Sequence, residues 1–295
     1  MLINRKCFMI VFSFLSLVFS SYPVVILVHG TFSNKKWCSP GGGFYEVLSA
    51  EAALQGDIVV PFAWSGKLSH KFRMRAAKSL VKLIQSYPRG EKIILIGHSH
   101  GGNIINLASH LLYDPVEATM ESCWHGGGIE GVIDFVNTLI NTYPNSDSSV
   151  DTSKAVSLKE NYYIDKAYLI ATPVLDKSTY VPCMKSIHTV LNLYSEGDGV
   201  QTVLGFYKRK YNSRDNLINV QIKIEGKGLW GNGDPKHRDM HDPLVAKKLL
   251  SMSDLFSAVA GDDIVATLKK DGSLVVAERV VKSKELVREA VILSS

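Results

Sequence analysis

The most constraining stretch of the chain is the corner at residues 93–108. An apolar run of strand length, Ile93-Ile94-Leu95-Ile96, stops at Gly97. Ser99 stands two residues on and Gly101 two beyond it. From Asn103 onward Ile104, Ile105, Leu107, Ala108 and Leu111 recur at helical spacing. This reads as strand, sharp turn, helix, with Gly-x-Ser-x-Gly at the corner. A serine on so tight a turn holds a strained backbone and points its hydroxyl away from the sheet. Side chains two positions before and after it would collide, so both are glycine. The helix that follows turns its amide end toward the serine, where developing negative charge is favoured. Ser99 is therefore the candidate nucleophile.

The 295 residues suit one large α/β domain or two small ones. Apolar content of 46% against 21% charged residues describes a globular chain with ample core, which excludes a disordered one. The net charge of +5 comes from dispersed basic residues, with no dense Lys/Arg run, so there is no footprint of nucleic-acid binding. The start of the chain differs from the rest. Arg5 and Lys6 precede a nearly continuous apolar stretch from Cys7 to Ser20 that is short for a membrane span. Basic start, apolar stretch, then Val18 and Ser20 before a cut match a cleavable signal peptide over residues 1–20. The reading is a secreted or periplasmic protein; the alternative is an uncleaved N-terminal anchor. Losing Cys7 with the signal leaves Cys38, Cys123 and Cys183, which allow one disulfide at most; buried reduced thiols are the other reading.

Taken in order, residues 24–28 (Val-Val-Ile-Leu-Val) read as a strand buried on both faces that ends in His29-Gly30-Thr31. A helix at 44–54, a strand at 57–64 and an amphipathic helix at 70–87 follow, and Pro88-Arg89-Gly90 breaks the chain before the strand at 93. Further strands are expected at 166–173, 189–195 and 218–224, then a glycine-rich loop at 226–233 and a last helix from Pro243. Strands alternating with helices give a mostly parallel, roughly six-stranded sheet covered by helices on both faces.

Two segments depart from this rhythm. Residues 114–165 form an insertion after the helix that follows Ser99, with Ile129, Val132, Ile133, Phe135, Val136, Leu139 and Ile140 at helical spacing. Such a stripe has to be buried against something, either as a lid over a binding pocket or as a helix on the sheet edge. His125-Gly126-Gly127-Gly128 looks like an oxyanion loop but lies downstream of Ser99, where no such loop belongs. In the extension at 257–295, residues 264–268 and 274–281 read as a β-hairpin and 284–293 as a short helix.

A serine hydroxyl needs a base to take its proton, and the base needs an acid to hold its tautomer. The acid is expected after the strand at 189–195. Asp198 stands there in a glycine-flanked turn; its neighbour Glu196 is tighter against the strand. The base is expected between the last strand and the last helix, where both His237 and His241 qualify. Val-x-Leu-Val-His-Gly at 25–30, Gly-His-Ser-x-Gly-Gly at 97–102, Leu-Tyr-Ser-x-x-Asp-x-Val from Leu193 and His-x-x-Met-x-x-x-x-Val from His237 follow in that order. In this the chain resembles the small serine α/β-hydrolases of bacterial lipase and esterase type, over about residues 23–250. The resemblance implies the α/β-hydrolase fold and an acyl-enzyme mechanism, with Ser99 as nucleophile, Asp198 as acid and His237 as base. His241 falls on an apolar position of that group and is the alternative base. The resemblance also implies that the backbone N–H groups of Thr31 and His100 are the expected oxyanion hole. The 114–165 insertion departs from the group.

The expected partner is a small-molecule or lipid carboxylic ester, with contact at a lipid interface and no cofactor. His29, His98 and His100 crowd the turn, but alternate residues on it point apart and no ligand-spaced carboxylate or cysteine joins them. They read as packing behind the site and not as a metal centre. Two other functions share these residues: an amidase or peptidase, and a non-catalytic binding protein on the same fold. The signal reading has its own check: intact-mass measurement of exported protein is expected to show a chain beginning at Ser21. A full-length mass in the membrane fraction would mean an anchor.

Overall fold

The structure is a computed structural model that describes residues 23–33, 35–122, 132–133, 135–138, 162–175, 177–200, 208–212, 214–228, 231–256, 264–282 and 285–293. The signal segment, Cys123 and most of the insertion lie outside these. Among the described residues no helix is long and apolar enough to cross a membrane.

The chain opens on β1 (Val24–Val28), whose five residues are all buried. α1 (Gly43–Leu54) leads to β2 (Ile58–Phe62), and α2 (His70–Gln85) leads to β3 (Ile93–His98). α3 (His100–Tyr113) and α4 (Pro115–Ser122) follow the corner. β4 (Ile164–Ile170), β5 (Ile187–Tyr194) and β6 (Leu217–Ile224) continue the sheet. α5 (Pro243–Phe256) then leads to β7 (Ile264–Leu268), β8 (Leu274–Lys282) and β9 (Glu285–Leu293). The strands form one sheet in the order β2-β1-β3-β4-β5-β6-β7-β8-β9. β1 through β7 run parallel, and β8 and β9 are antiparallel.

Period-two alternation sorts the core into two layers. On β1, Val25 and Leu27 pack with Phe44 and Leu48 of α1 and Val245 and Leu249 of α5. Val24, Ile26 and Val28 face the opposite way, onto Met74, Leu80 and Ile84 of α2 and Ile104, Leu107 and Ala108 of α3. Helices on both faces explain why β1 is apolar throughout and β3 is apolar from Ile93 to Ile96. The first strand lies inside the sheet, and the chain leaves it for β2 on one side and returns to β3 on the other. The C-terminal ends of β1 and β3 thus flank a topological switch point, where open α/β sheets form their crevices. Parallel sheet, two helical layers and a serine corner after the third strand make this the α/β-hydrolase architecture.

Among the described residues the sheet has nine strands where roughly six were expected, because the tail joins it. α5 carries the chain from β6 to a parallel β7, whose Ile264, Ala266 and Leu268 are buried while Val265 and Thr267 are half-buried. Of the segment at 284–293, expected as a helix, the described residues Glu285–Leu293 form strand β9. Ten residues without a partner make a marginal helix, whereas pairing with β8 runs unbroken from Leu274↔Leu293 to Lys282↔Glu285. In the insertion, the described residues 132–133 and 135–138 are helical, and Val132, Ile133 and Val136 are exposed at 55%, 53% and 44%. This part of the stripe is not buried, contrary to expectation; the rest, and with it the choice between lid and edge helix, lies outside the described residues. Cys38 and Cys183 are free thiols.

The corner is a backbone-on-backbone contact. A Cβ on Gly97 would come within 2.6 Å of the Gly102 nitrogen, and one on Gly101 would run into the Val28 carbonyl oxygen. Gly101→Ala is therefore expected to push α3 off β1 and destabilise the protein by about 1–3 kcal/mol, as overpacking does. Urea unfolding checks it: a midpoint equal to wild type would show that the contact is looser than this.

Candidate active site

Four strand ends supply the site. β1 ends at His29-Gly30, and His29 ties the loop beyond it in place. Its Nδ1–H donates to the Gly30 carbonyl at 2.8 Å, so Nε2 accepts the Trp64 backbone N–H at 3.4 Å. The Trp64 indole N–H donates to the His29 carbonyl at 2.7 Å, and the two rings stack 5.4 Å apart. Next along, Phe32 donates its N–H to the Gly66 carbonyl at 3.1 Å. Among the described residues the Thr31 N–H donates to no backbone oxygen.

β3 delivers Ser99 at φ 56°, ψ −131°, a sparsely populated conformation for any residue but glycine. Such a conformation costs of order 1–3 kcal/mol and persists only where the surroundings impose it. Here Ser99 donates its N–H to the Ile170 carbonyl at 2.8 Å and accepts from the Gly102 N–H at 3.0 Å. A Cβ on Gly30 would lie 2.8 Å from the Ser99 Cβ, so the His-Gly loop can lie against the serine only as glycine.

β5 delivers Asp198. Ser195 closes the turn, accepting the Gly197 N–H at 3.1 Å and donating to the Pro235 carbonyl at 2.7 Å. The Asp198 side chain is fully buried. Oδ1 accepts the Val200 N–H at 2.9 Å, and Oδ2 lies 2.8 Å from His237 Nδ1 on the loop after β6. The carboxylate thus holds the imidazole with Nδ1 as donor and Nε2 as the nitrogen left for a substrate-side proton. Glu196 points elsewhere, into a 2.7 Å ion pair with Arg209.

The structure separates the two candidate bases. His237 contacts Asp198. His241 stacks on Trp37 at 5.2 Å and meets the His98 ring edge-on at 4.9 Å. His98 sits behind both: its Nε2–H donates to the His237 carbonyl at 3.0 Å, and its ring lies 4.7 Å from that of His237. The residue preceding Ser99 therefore pins the backbone of His237. Trp37, in a turn at Lys36–Cys38, packs on both His98 and His241. His100 accepts the Asn103 amide N–H on Nδ1 at 3.0 Å.

Burial keeps these histidines neutral. His98 is held far below the ordinary histidine value by burial first, then by His237 and His241. His100 is held down to about 3 by burial, then by the charges of Arg73 and His237. Burial is also the main cause that lowers His29 and His241. Sequence reasoning placed His29 and His98 behind the site but missed Trp37, Trp64, Asn103 and Arg73. A lone tryptophan or a helical arginine carries no sequence signal; only the fold brings them to the corner.

No protein-family model matches the chain, and no curated protein matches its sequence. Solved structures do match in shape. A cutinase-like protein from a Cryptococcus species is 12% identical over 81% of this chain and 95% of its own, with a TM-score of 0.38. A methylesterase from Arabidopsis is 14% identical over 79% and 99%, with a TM-score of 0.35. A lipase from Bacillus licheniformis is 14% identical over 79% and 74%, with a TM-score of 0.30. At scores this low the likeness adds nothing to what the strand order and corner show.

The buried histidines have a consequence for stability. Unfolded, each titrates near about 6.5. Folded, His98 and His100 stay neutral well below that, so between pH 6.5 and about 3 the unfolded chain binds more protons. Stability is then full above pH 6.5 and falls as pH drops through that window. His100 alone is expected to cost up to about 2 kcal/mol by pH 5. Urea unfolding at pH 7.5 and 5 is expected to show the loss, reduced in His100→Gln. Equal stability at both pH values would mean that the folded protein protonates these rings freely.

Proposed function

We propose that the chain is a serine hydrolase that cleaves a carboxylic ester through an acyl-enzyme on Ser99. The observation that carries the reading is the Asp198–His237 contact, 2.8 Å long with its carboxylate fully buried, set against the residue that precedes Ser99. In this reading His237 Nε2 takes the Ser99 proton as Oγ attacks the ester carbonyl, and Asp198 stabilises the imidazolium. The tetrahedral oxyanion accepts hydrogen bonds from the N–H groups of Thr31 and His100, at the positive end of α3. Collapse expels the alcohol, which takes the proton from His237. Water then attacks the acyl-enzyme by the same route, with His237 first as base and then as acid, and releases the carboxylic acid and free Ser99.

His98 keeps His237 in register for both halves, since a displaced imidazole serves neither proton transfer. We also propose export through residues 1–20 and contact with the substrate at a lipid interface.

A fluorophosphonate probe is expected to label the wild-type protein and not Ser99→Ala. His237→Ala is expected to lower ester turnover by about 10³-fold or more, and His241→Ala, which leaves the Asp198 contact intact, far less. An unlabelled wild type would end the nucleophile assignment. His241→Ala proving the more damaging would move the base by one helical turn.

A further inference from the structure

Arg73 carries a charge that the proposed reaction does not use. It lies in the first turn of α2, its N–H donating to the Ser69 carbonyl at 3.1 Å, and is only 8% exposed. Its Nε–H donates to the Tyr180 hydroxyl at 2.9 Å, and its guanidinium carbon lies 5.3 Å from the centre of the Tyr180 ring. That hydroxyl also lies 2.8 Å from His70 Nδ1. Among the described residues no carboxylate pairs with Arg73 and its Nη atoms make no hydrogen bond, yet neither Nη atom is sealed from solvent.

A guanidinium cannot shed its charge, and burying it without an anion is costly. A ring face and one hydroxyl offset only part of that cost. Its position matters as much as its burial. α2 and α3 pack side by side and both begin at the end of the sheet that holds the site. Burial is the main cause that keeps His100, the residue after Ser99, neutral, and Arg73 in the first turn of α2 is near enough for its charge to add to that effect. The neighbourhood thus contains one buried, permanent positive charge with two donor groups to spare.

We propose that Arg73 is a substrate-binding residue and that the ester cleaved at Ser99 carries a carboxylate, held by the Nη edge of the guanidinium. This rests on the hydrolase reading of the site. A planar fork of N–H donors matches a carboxylate in two parallel hydrogen bonds. The charges also balance one to one: His100 is neutral, so a doubly charged phosphate would leave a surplus. A wholly apolar substrate would strip water from the Nη groups and return nothing, so the same residue selects against it.

Two pairs of esters test this, one for a carboxylate on the acyl side and one for a carboxylate on the alcohol side. They are monomethyl succinate against methyl pentanoate, and O-acetylglycolate against propyl acetate, each followed by acid release. In one pair, wild-type kcat/KM is expected to favour the anionic member by about tenfold or more, as hydrogen bonds to a charged group allow. Arg73→Met is expected to abolish the preference and Arg73→Lys to keep part of it; a purely structural role would lower both members together. Calorimetry on Ser99→Ala reads binding without turnover: monomethyl succinate or O-acetylglycolate is expected to bind, and not once Arg73→Met is added. Absence of both a preference in wild type and anion binding by Ser99→Ala overturns the proposal, even if the Arg73 variants fail to fold. Turnover of neutral esters without anion preference leaves the hydrolase reading standing alone. Arg73-dependent binding without turnover of any ester leaves the anion site and removes the hydrolase.

Discussion

The structure depends on how closely two pieces of backbone approach each other at the end of the sheet. α3 begins so near β1 that Gly101 lies against the Val28 carbonyl, and Gly102 lies against the Thr172 side chain beyond β4. Gly30 closes the third side against Ser99 itself. With space removed on all three, Ser99 has one conformation left, and it is a strained one. The strain is supported by the apolar layers beneath, where β1 and β3 are buried on both faces and cannot shift without opening the core. Every other part of the site is placed relative to that corner: the His29 loop from β1, Asp198 from β5 and the His237 loop from β6.

Around the corner, electrostatics follows from dryness. A neutral histidine in a low-dielectric setting has one donor and one acceptor, and each ring here uses them in a fixed sense. His29 donates from Nδ1, His98 from Nε2, and His100 accepts on Nδ1. Tautomers fixed in this way orient rings as firmly as packing does. The cost is that the protein cannot let these rings gain protons without losing stability. Arg73 stands apart, since guanidinium has no neutral form to retreat to. Its single hydrogen bond to Tyr180 makes it the one member of this neighbourhood whose charge is not balanced within the described residues.

Much of this was legible in the order of the residues. Gly97-His98-Ser99-His100-Gly101 between a buried strand and a helix leaves few alternatives to a strained corner, because each glycine answers to a steric need. Asp198 in its glycine-flanked turn and His237 before the last helix stand in chain order where strand ends would bring them together, and their side chains meet. Less legible was the choice between His237 and His241, one helical turn apart on a loop with no period of its own. It turns on which ring the loop aims at β5, and that follows from contacts of Asp234, Pro235 and Gly197 far apart in the chain.

What the sequence by itself determined is local: strand against helix, the face each residue presents, and the glycines a sharp turn demands, since these follow from steric limits within a few residues. Only the tertiary structure decided the rest, because it depends on partners supplied from elsewhere. Residues 285–293 carry enough helical spacing to suggest a helix, yet an unpaired β8 edge made them a strand. The tail lengthened the sheet to nine strands because the β6 edge was open to a strand delivered by α5. Arg73 looks like any basic residue on an amphipathic helix. Its burial at the site end of α2 exists only because α2 and α3 lie on one face of the sheet with the same end toward the site.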